Sequence, residues 1–299
     1  MAGLGAEHAS ESGSRLGDRR GLRLYRQTRR AITITIVLSA AASPIVAQGG
    51  PPMLTDDPGT PGPRTWEINV GWLAQRVPGA FIHYLPLLDA NYGLGSRIEL
   101  TYEAPWGIVT GGGHAQTGFG NSEASIKWRF IDDDGWQASV YPAFDFLTPG
   151  SHKQISGLTD SSRTFELPVE VERSFGAVSI NVDAGRNFST DPDDDGWFGG
   201  IAAGRDLRPG WELVVELHVL ASPRFDRREL IAHAGTRVDL SNRMTLMFAY
   251  GRDVSNDLLP RTFLTTYAGL QLRLGQGPKT VGSRSGRHAS PAPSDTTYW

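Results

Sequence analysis

The chain has 299 residues and a formal net charge of −3 at pH 7, which is too small to indicate a nucleic-acid partner with its clustered basic face. It contains no Cys, and this excludes a disulfide framework and Cys-based metal sites. Its length allows one large β domain or two ordinary ones.

The first 47 residues have the pattern of an export signal. A cationic stretch precedes the apolar run over 31–46, and small residues follow it around Ala47. The run is shorter than the roughly 20 residues of a helical span, and Pro44 interrupts it. We therefore predict a signal peptide cleaved after Ala47, and not a retained anchor. The cationic stretch contains Arg23, Arg26, Arg29 and Arg30.

The rest of the chain alternates apolar and polar residues with a period of two. Successive side chains of a strand point to opposite faces, so this alternation predicts strands with one apolar face. In the first strand the apolar face carries Trp66, Ile68, Val70, Trp72 and Ala74. No later apolar run is long enough for a helical span. We predict twelve strands, over 64–76, 82–92, 96–105, 119–130, 136–148, 163–174, 177–188, 197–206, 211–222, 229–240, 243–252 and 262–274.

The connections between these strands alternate between short and long. Gly, Pro, Asp and Asn mark both kinds, because they supply the backbone angles and the side-chain caps of turns. Short turns on one side and long loops on the other are typical of bacterial outer-membrane barrels. The connection over 77–80 departs from this alternation, being short where a long loop is expected. The predicted short turns are 93–95, 132–135, 174–176, 207–210 and 241–242, and the predicted long loops are 106–118, 149–162, 189–196, 223–228 and 253–261.

Periodicity alone leaves two architectures open. In a secreted soluble β protein the apolar face packs into a core, whereas in a membrane barrel it faces lipid. Three features favour the membrane barrel: the export signal, strands of about 10–12 residues, and Trp residues near strand ends, where a girdle at the headgroups lies. These are Trp66, Trp106, Trp136, Trp197 and Trp211.

We therefore predict an all-β fold, a membrane-spanning antiparallel up-and-down β-barrel of about 12 strands in the bacterial outer membrane. Residues 1–47 are the N-terminal extension and signal peptide, and 48–63 a periplasmic segment. Residues 64–274 form the barrel, and 275–299 a disordered tail rich in Gly, Ser, Pro and Arg. The expected partners are outer-membrane lipid, lipopolysaccharide and a small-molecule solute, with a monomer as the unit and no nucleic acid.

Three segments resemble a known outer-membrane family. They are "TDDPGTPGPRTWEINV", "LPLLDANYGLGSRIELTYEAPW" and "GFGNSEASIKWRF". The family is the one named for the MetA pathway of phenol degradation, whose members are described as transporters. The resemblance spans about residues 53–274. It implies an outer-membrane location and passage of small, aromatic or hydrophobic molecules, and it carries no functional residues onto this chain.

The polar faces of the strands supply candidate lumen-lining residues. Opposed charges in a narrow pore form a selective constriction, but the same charges could brace a small barrel through salt bridges. A barrel of about twelve strands is intermediate between filled and open ones, so both interpretations stay open. The candidates are Glu99, Glu103, Glu123, Lys127, Arg129, Glu166, Glu170, Asp183, Arg186, Glu216, His218 and Arg237.

Two sequence motifs are only weak indications of a ligand site. Asp191, Asp193 and Asp195 resemble the opening of a calcium loop, but Ala202 stands where the bidentate Glu should fall. The Gly run over 111–113 lacks the Lys and Ser or Thr of a phosphate-binding loop, and we interpret it as a flexible outer loop. No metal and no cofactor is predicted.

The predicted function is passive passage of small solutes through a charged lumen. No spacing of Ser, Asp and His indicates a catalytic triad, so an enzyme is not predicted. Two alternatives stay open: an outer-membrane enzyme of the lipase or deacylase kind, and a structural or adhesive barrel whose outer loops bind a partner.

Overall fold

The computed structural model describes residues 51–149, 151, 155, 158–159, 162–191, 195–257 and 264–275. The predicted signal peptide over 1–47 and the predicted tail after residue 275 lie outside these residues. Within the described ranges, no helix is long and apolar enough to cross a membrane.

The described chain forms strand after strand, joined by turns and loops. The segments are β1 (Thr65–Val77), β2 (Ala80–Gly93), β3 (Ile98–Gly111), β4 (His114–Phe119), β5 (Asn121–Asp133), β6 (Trp136–Val140), β7 (Ala143–Leu147), β8 (Thr164–Phe175), β9 (Val178–Ser189), β10 (Gly196–Arg208), β11 (Trp211–Ala221), β12 (Arg228–Ser241), β13 (Met244–Asn256) and β14 (Leu264–Gly275).

These segments build a closed antiparallel barrel of twelve strands. Each strand pairs with its neighbours in sequence, and β1 pairs with β14 to close the ring. The fourteen segments make twelve strands because two of the strands are each interrupted once. β4 and β5 lie end to end along β3, and β6 and β7 lie end to end between β5 and β8. The predicted fold class and strand number are confirmed.

Short breaks lie between β4 and β5, at Gly120, and between β6 and β7, at residues 141–142. Gly120 separates β4 from β5, and its N–H donates to the carbonyl of Pro105 at 2.9 Å. Pro142 follows β6 and has no N–H to donate to a ladder. The N–H of Tyr141 beside it donates to the carbonyl of Pro168 at 3.2 Å. The antiparallel course therefore continues through both breaks.

The predicted long loop over 106–118 is wrong. β3 runs on to Gly111, and β4 begins at His114, directly opposite it. Gly112 and Gly113 form the turn between them with φ of +57° and +81°. A two-residue hairpin turn with positive φ at both positions matches the twist of its strands, and Gly adopts it freely. The Gly run is thus an ordered hairpin tip.

The barrel has two distinct ends. Connections of two to four residues join the strands at one, which we call the short-turn end; they are 94–97, 134–135, 176–177, 209–210 and 242–243. At the opposite end, the long-loop end, lie the connections over 148–163, 190–195, 222–227 and 257–263, together with the two tight turns over 78–79 and 112–113. The predicted short turns are confirmed.

The outer face is apolar and the inner face polar, as β11 shows. Leu213, Val215 and Leu217 point outward with 43%, 56% and 49% of their surface exposed. On the opposite face of the same strand, Glu212 and Glu216 point inward and are buried. An exposed apolar surface repeated around the whole ring is far larger than the patches that soluble monomers tolerate.

Candidate functional site

The interior of the barrel holds the N-terminal segment over 51–61, which we call the plug. The chain enters at the short-turn end, where the N–H of Arg64 donates to the carbonyl of Gly93 at 2.9 Å. Thr60 Oγ1 donates to the carbonyl of Ser96 at the same end at 3.1 Å. Residues 51–61 of the predicted periplasmic segment over 48–63 therefore lie inside the barrel.

Lys127 on β5 ties the plug to the wall. Its Nζ lies 2.8 Å from Asp56 Oδ2 and donates to the carbonyl of Asp57 at 2.6 Å. On the wall side it lies 3.4 Å from Glu170 Oε2, which also accepts from Ser139 Oγ. The Lys127 side chain is 3% exposed. One buried ammonium thus joins two plug residues to β8.

Two arginines hold the ends of the plug. Arg237 on β12 donates from Nε and Nη2 to the carbonyl of Pro51, at 3.0 and 2.8 Å. Its Nη1 lies 3.3 Å from Glu212 Oε2. Arg273 on β14 donates to the carbonyl of Pro61 at 2.9 Å. A proline has a carbonyl but no N–H, so these contacts satisfy the one backbone hydrogen-bonding group that each proline offers.

Thr55 is the plug residue held most closely by the acidic wall. Its N–H donates to Glu216 Oε2 at 2.6 Å, and Glu216 Oε1 lies 2.9 Å from Nδ1 of His233. A Cβ on Gly200 would overlap the hydroxyl of Thr55. Gly at this position therefore lets the plug approach β10 closely.

An apolar contact completes the docking. Met53 is buried in the main apolar cluster of the interior. Burial of a methionine side chain contributes about 1.5–3 kcal/mol. The cluster also contains Ala202, Val214, Met247, Ala249 and Tyr267.

Two cavities lie against the plug. The inner cavity, of about 360 Å³, lies along the plug and includes Glu67, Asp89 and Lys127 in its wall. The outer cavity, of about 610 Å³, lies toward the long-loop end, with Tyr84 and Leu158 in its wall. Both cavities are also lined by Pro51, Met53, Leu54 and Glu103. Residues 51–54 of the plug therefore lie where the two cavities meet.

A second segment narrows the long-loop end. Ile155 and Leu158, from the connection between β7 and β8, are buried. A Cβ on Gly107 would collide with the Leu158 side chain, and one on Gly118 would lie 2.9 Å from Ile155 Cδ1. Ile155 and Leu158 thus pack against the inner side of the β3–β4 hairpin.

The structure places eleven of the twelve predicted lumen residues on inward-facing rows. Glu99 pairs directly with Lys127, and Glu103 pairs with Glu123. Arg129 turns away from both pairs, since it lies 3.2 Å from Asp132 and reaches toward the short-turn end. The eleven are Glu99, Glu103, Glu123, Lys127, Arg129, Glu166, Glu170, Asp183, Glu216, His218 and Arg237.

The inward placement of Arg186 is wrong. It pairs with Trp197, which is exposed on the outer face. Its guanidinium lies 5.3 Å from the ring centre of Phe188 and 5.2 Å from that of Trp197. Nη2 lies 2.7 Å from Asp195 Oδ2. Arg186 and Asp183 are three residues apart on one strand, and such positions face opposite sides.

The weak metal motif gains no support from geometry. Asp193 lies outside the described residues, and Asp195 is held by Arg186. Within the described part of the chain, no group of three or more His, Asp and Glu side chains is placed to hold a metal ion.

Comparison with known proteins identifies the fold. No protein-family model and no curated protein sequence matches the chain, so the resemblance to the MetA-pathway family stays a prediction. The COG4313 outer membrane channel from Pseudomonas putida F1 is similar in structure, with a TM-score of 0.61 and 11% identity over 76% of this chain and 100% of that chain. The NanC porin is similar with a TM-score of 0.50 and 9% identity over 69% of this chain and 100% of that chain. These similarities show the fold of outer-membrane barrels.

Proposed function

We propose that the protein is an outer-membrane channel for small solutes and that the plug is its gate. A closed barrel satisfies all backbone hydrogen bonds within the ring, which is what a strand structure needs in hydrocarbon. The apolar outer face is the surface that lipid and, in the outer leaflet, the lipid chains of lipopolysaccharide would cover. The ring closes within one chain, so the proposed unit is a monomer.

The observation that carries this proposal is the position of the plug inside the barrel, where it lines both cavities. A barrel filled only for bracing needs no separate chain segment inside it. Here the docking rests mainly on hydrogen bonds and ion pairs, through Lys127, Arg237, Arg273 and Glu216. Water can replace such contacts when the segment leaves, whereas a large apolar interface would have no substitute. The inner and outer cavities then join into one path with a charged lining.

The lining of the outer cavity supports small solutes with an apolar or aromatic part. Leu73, Leu87, Tyr84 and Tyr267 are among the residues of its wall. Ligand sites of about 300–1,000 Å³ with apolar walls and a few polar groups suit molecules of drug size. The volume of about 610 Å³ falls within that range.

Conductance in planar lipid bilayers tests the channel. We expect the purified mature protein to give small, discrete current steps. Absence of current at every voltage, from protein that shows the heat-dependent electrophoretic shift of a folded barrel, would contradict the proposal. Liposome swelling with sugars, carboxylic acids and aromatic molecules would then rank the solutes. Faster swelling with sugars than with aromatic molecules would count against the aromatic preference.

A further inference from the structure

A groove of about 530 Å³ lies at the long-loop end, between the tips of two hairpins, and we call it the tip groove. It is lined by residues within 76–81 of the β1–β2 hairpin and within 110–115 of the β3–β4 hairpin. Arg76 pairs directly with Phe81, which is 46% exposed. Arg76 also lies an even number of positions after the exposed Trp66 on the same strand, so its side chain points outward. The tip groove is therefore bordered by side chains of the outer face.

A stack of aromatic rings runs from the tip groove along the outer face. The guanidinium of Arg76 lies 5.4 Å from the ring centre of Phe81. The Phe81 ring lies 6.4 Å from that of His83, at an angle of 5°, and the His83 ring lies 6.0 Å from that of Trp72, at 12°. Trp72 Nε1 donates to His83 Nδ1 at 3.3 Å. Because aromatic side chains of this kind mark the boundary between lipid and water, the stack indicates that Arg76 lies at the level of the headgroups.

The charge of Arg76 has no counterpart among the described residues. The described wall of the tip groove contains no Asp or Glu, and no ion pair of the described structure includes Arg76. Arg186, another outward-facing arginine, shows the opposite arrangement, since its Nη2 lies 2.7 Å from Asp195 Oδ2. The N–H groups of Arg76 therefore face the outside without a carboxylate partner in the described part of the chain.

A second outward-facing arginine lies level with Arg76. Gly251 pairs with Thr265, and Thr265 pairs with Gln75. β13 and β1 run in the same direction because each is antiparallel to β14, so the next residues, Arg252 and Arg76, lie at the same height. Residues level with each other in neighbouring strands share a face, and Arg252 therefore points outward as Arg76 does. Two strand spacings, about 10 Å, separate their backbones.

Arg252 resembles Arg76 in its lack of an acidic partner. Its Nε donates to the carbonyl of Asp253 at 3.3 Å, and none of the described ion pairs includes it. The sequence of the nearby connection over 258–263 contains no Asp or Glu. Between the two arginines lies Leu264, which pairs with Arg76. A guanidinium donates two parallel hydrogen bonds to a phosphate, so two of them at this spacing suit one phosphate group from both sides.

We propose that Arg76 and Arg252 bind a phosphate group of lipopolysaccharide. The sugar that carries the phosphate then lies in the tip groove, and its acyl chains run along the aromatic stack on the outer face. The long-loop end of a bacterial barrel faces the outside of the cell, and the outer leaflet there contains this lipid. Arginine stems cover apolar surface while their charged ends reach the headgroups, as this position requires. The inference rests on the membrane location in the proposed function and not on conduction.

Native mass spectrometry of the folded protein in non-ionic detergent measures this binding. The probes are lipid A, which is the phosphorylated membrane anchor of lipopolysaccharide, the same lipid A with its phosphates removed, and inorganic phosphate. We expect lipid A to bind at least about tenfold more tightly than its dephosphorylated form, since hydrogen bonds to charged groups are the stronger ones. Equal binding of the two forms would overturn the proposal. Binding of inorganic phosphate as tight as that of lipid A would assign the site to free phosphate and overturn the lipid assignment.

Variants locate the phosphate. Arg76→Gln and Arg252→Gln should each weaken binding of lipid A by about tenfold and leave binding of the dephosphorylated form unchanged. Arg173→Gln is the matched control. Arg173 also points outward, with its guanidinium 4.9 Å from the ring centre of Trp136, but it lies near the short-turn end. An equal loss in Arg173→Gln would refute the assignment to Arg76 and Arg252, and the heat-dependent electrophoretic shift shows that each variant is folded.

Conductance in phosphatidylcholine bilayers separates this inference from the channel proposal, because such a bilayer contains no lipopolysaccharide. A barrel that conducts there but binds both forms of lipid A equally retains the channel and rejects the lipid site. A barrel that prefers phosphorylated lipid A but never conducts retains the lipid site and rejects the channel.

Discussion

Replacing Lys127 by Met removes the cation that ties the plug to the wall of the barrel. Met keeps much of the length and apolar stem of Lys, so the change is mainly one of charge and hydrogen bonding. On the plug side the ammonium bonds Asp56 Oδ2 at 2.8 Å and the carbonyl of Asp57 at 2.6 Å, and Met can replace neither bond. On the wall side, Glu170 then faces Asp56 without a cation between them. The docked state is therefore the one that is destabilised.

The size of the effect follows from these bonds. A hydrogen bond to a charged group contributes about 1.5–3 kcal/mol. The side chain of Asp56 is 33% exposed, so water screens its share and the lower end of that range applies. With the Asp57 carbonyl included, the docked plug should become less stable by about 2–3 kcal/mol relative to the released plug. This lowers the ratio of docked to released plug roughly 30- to 150-fold.

Single-channel recording in planar bilayers measures that ratio through the open probability. We expect long open periods in Lys127→Met at voltages where the unaltered protein is mostly closed. Arg129→Met is the matched control, because Arg129 lies on the same strand and face but bonds Ser96 and Gln137 instead of the plug. Identical open probabilities in Lys127→Met and the unaltered protein, or an equal rise in Arg129→Met, would refute the role of Lys127 in holding the plug.

Two further changes test the gate and the membrane face. Gly200→Ala places a Cβ at the position of the Thr55 hydroxyl, so it should displace the plug and raise the open probability in single-channel recording. An open probability equal to that of the unaltered protein would argue against a gating plug. Val215→Arg, at the middle of the outer face of β11, should lower the free energy of unfolding from lipid vesicles by about 2–4 kcal/mol, measured by urea titration. Leu207→Arg, close to a short turn, should cost only about 0–1 kcal/mol, and equal costs at both positions would contradict a lipid-facing belt.

The barrel itself could be predicted because strand alternation is a local property. Leu213, Val215 and Leu217 alternate with Glu212, Val214 and Glu216 within one short segment. Their face could therefore be predicted without knowledge of any other strand. The error at Arg186 has the same basis: a position three residues from Asp183 belongs to the opposite face, and the prediction ignored that parity. The hairpin after Trp106 was missed because its Gly-rich tip has the composition of a loop.

The plug could not be predicted, because every contact that places it joins distant parts of the chain. Asp56 and Lys127 are 71 residues apart, Pro51 and Arg237 are 186 apart, and Pro61 and Arg273 are 212 apart. A segment rich in Pro, Gly and Asp has the composition of a linker, and nothing local marks it as an interior element. The cations that hold the plug, Lys127, Arg237 and Arg273, each also pair with a glutamate on a neighbouring strand, so the wall pattern gave no sign of the plug.

The plug is continuous with β1, and this tether sets the kinetics of closing. Gly62, with φ of +88°, and Arg64, with φ of +55°, lie between the plug and the first strand of the ring. Fully extended, the roughly fourteen residues over 51–64 reach at most about 50 Å from the barrel. A released plug therefore stays at an effective concentration of the order of millimolar at the mouth of its own barrel. Reclosure is then a first-order event that neither dilution nor a neighbouring molecule alters.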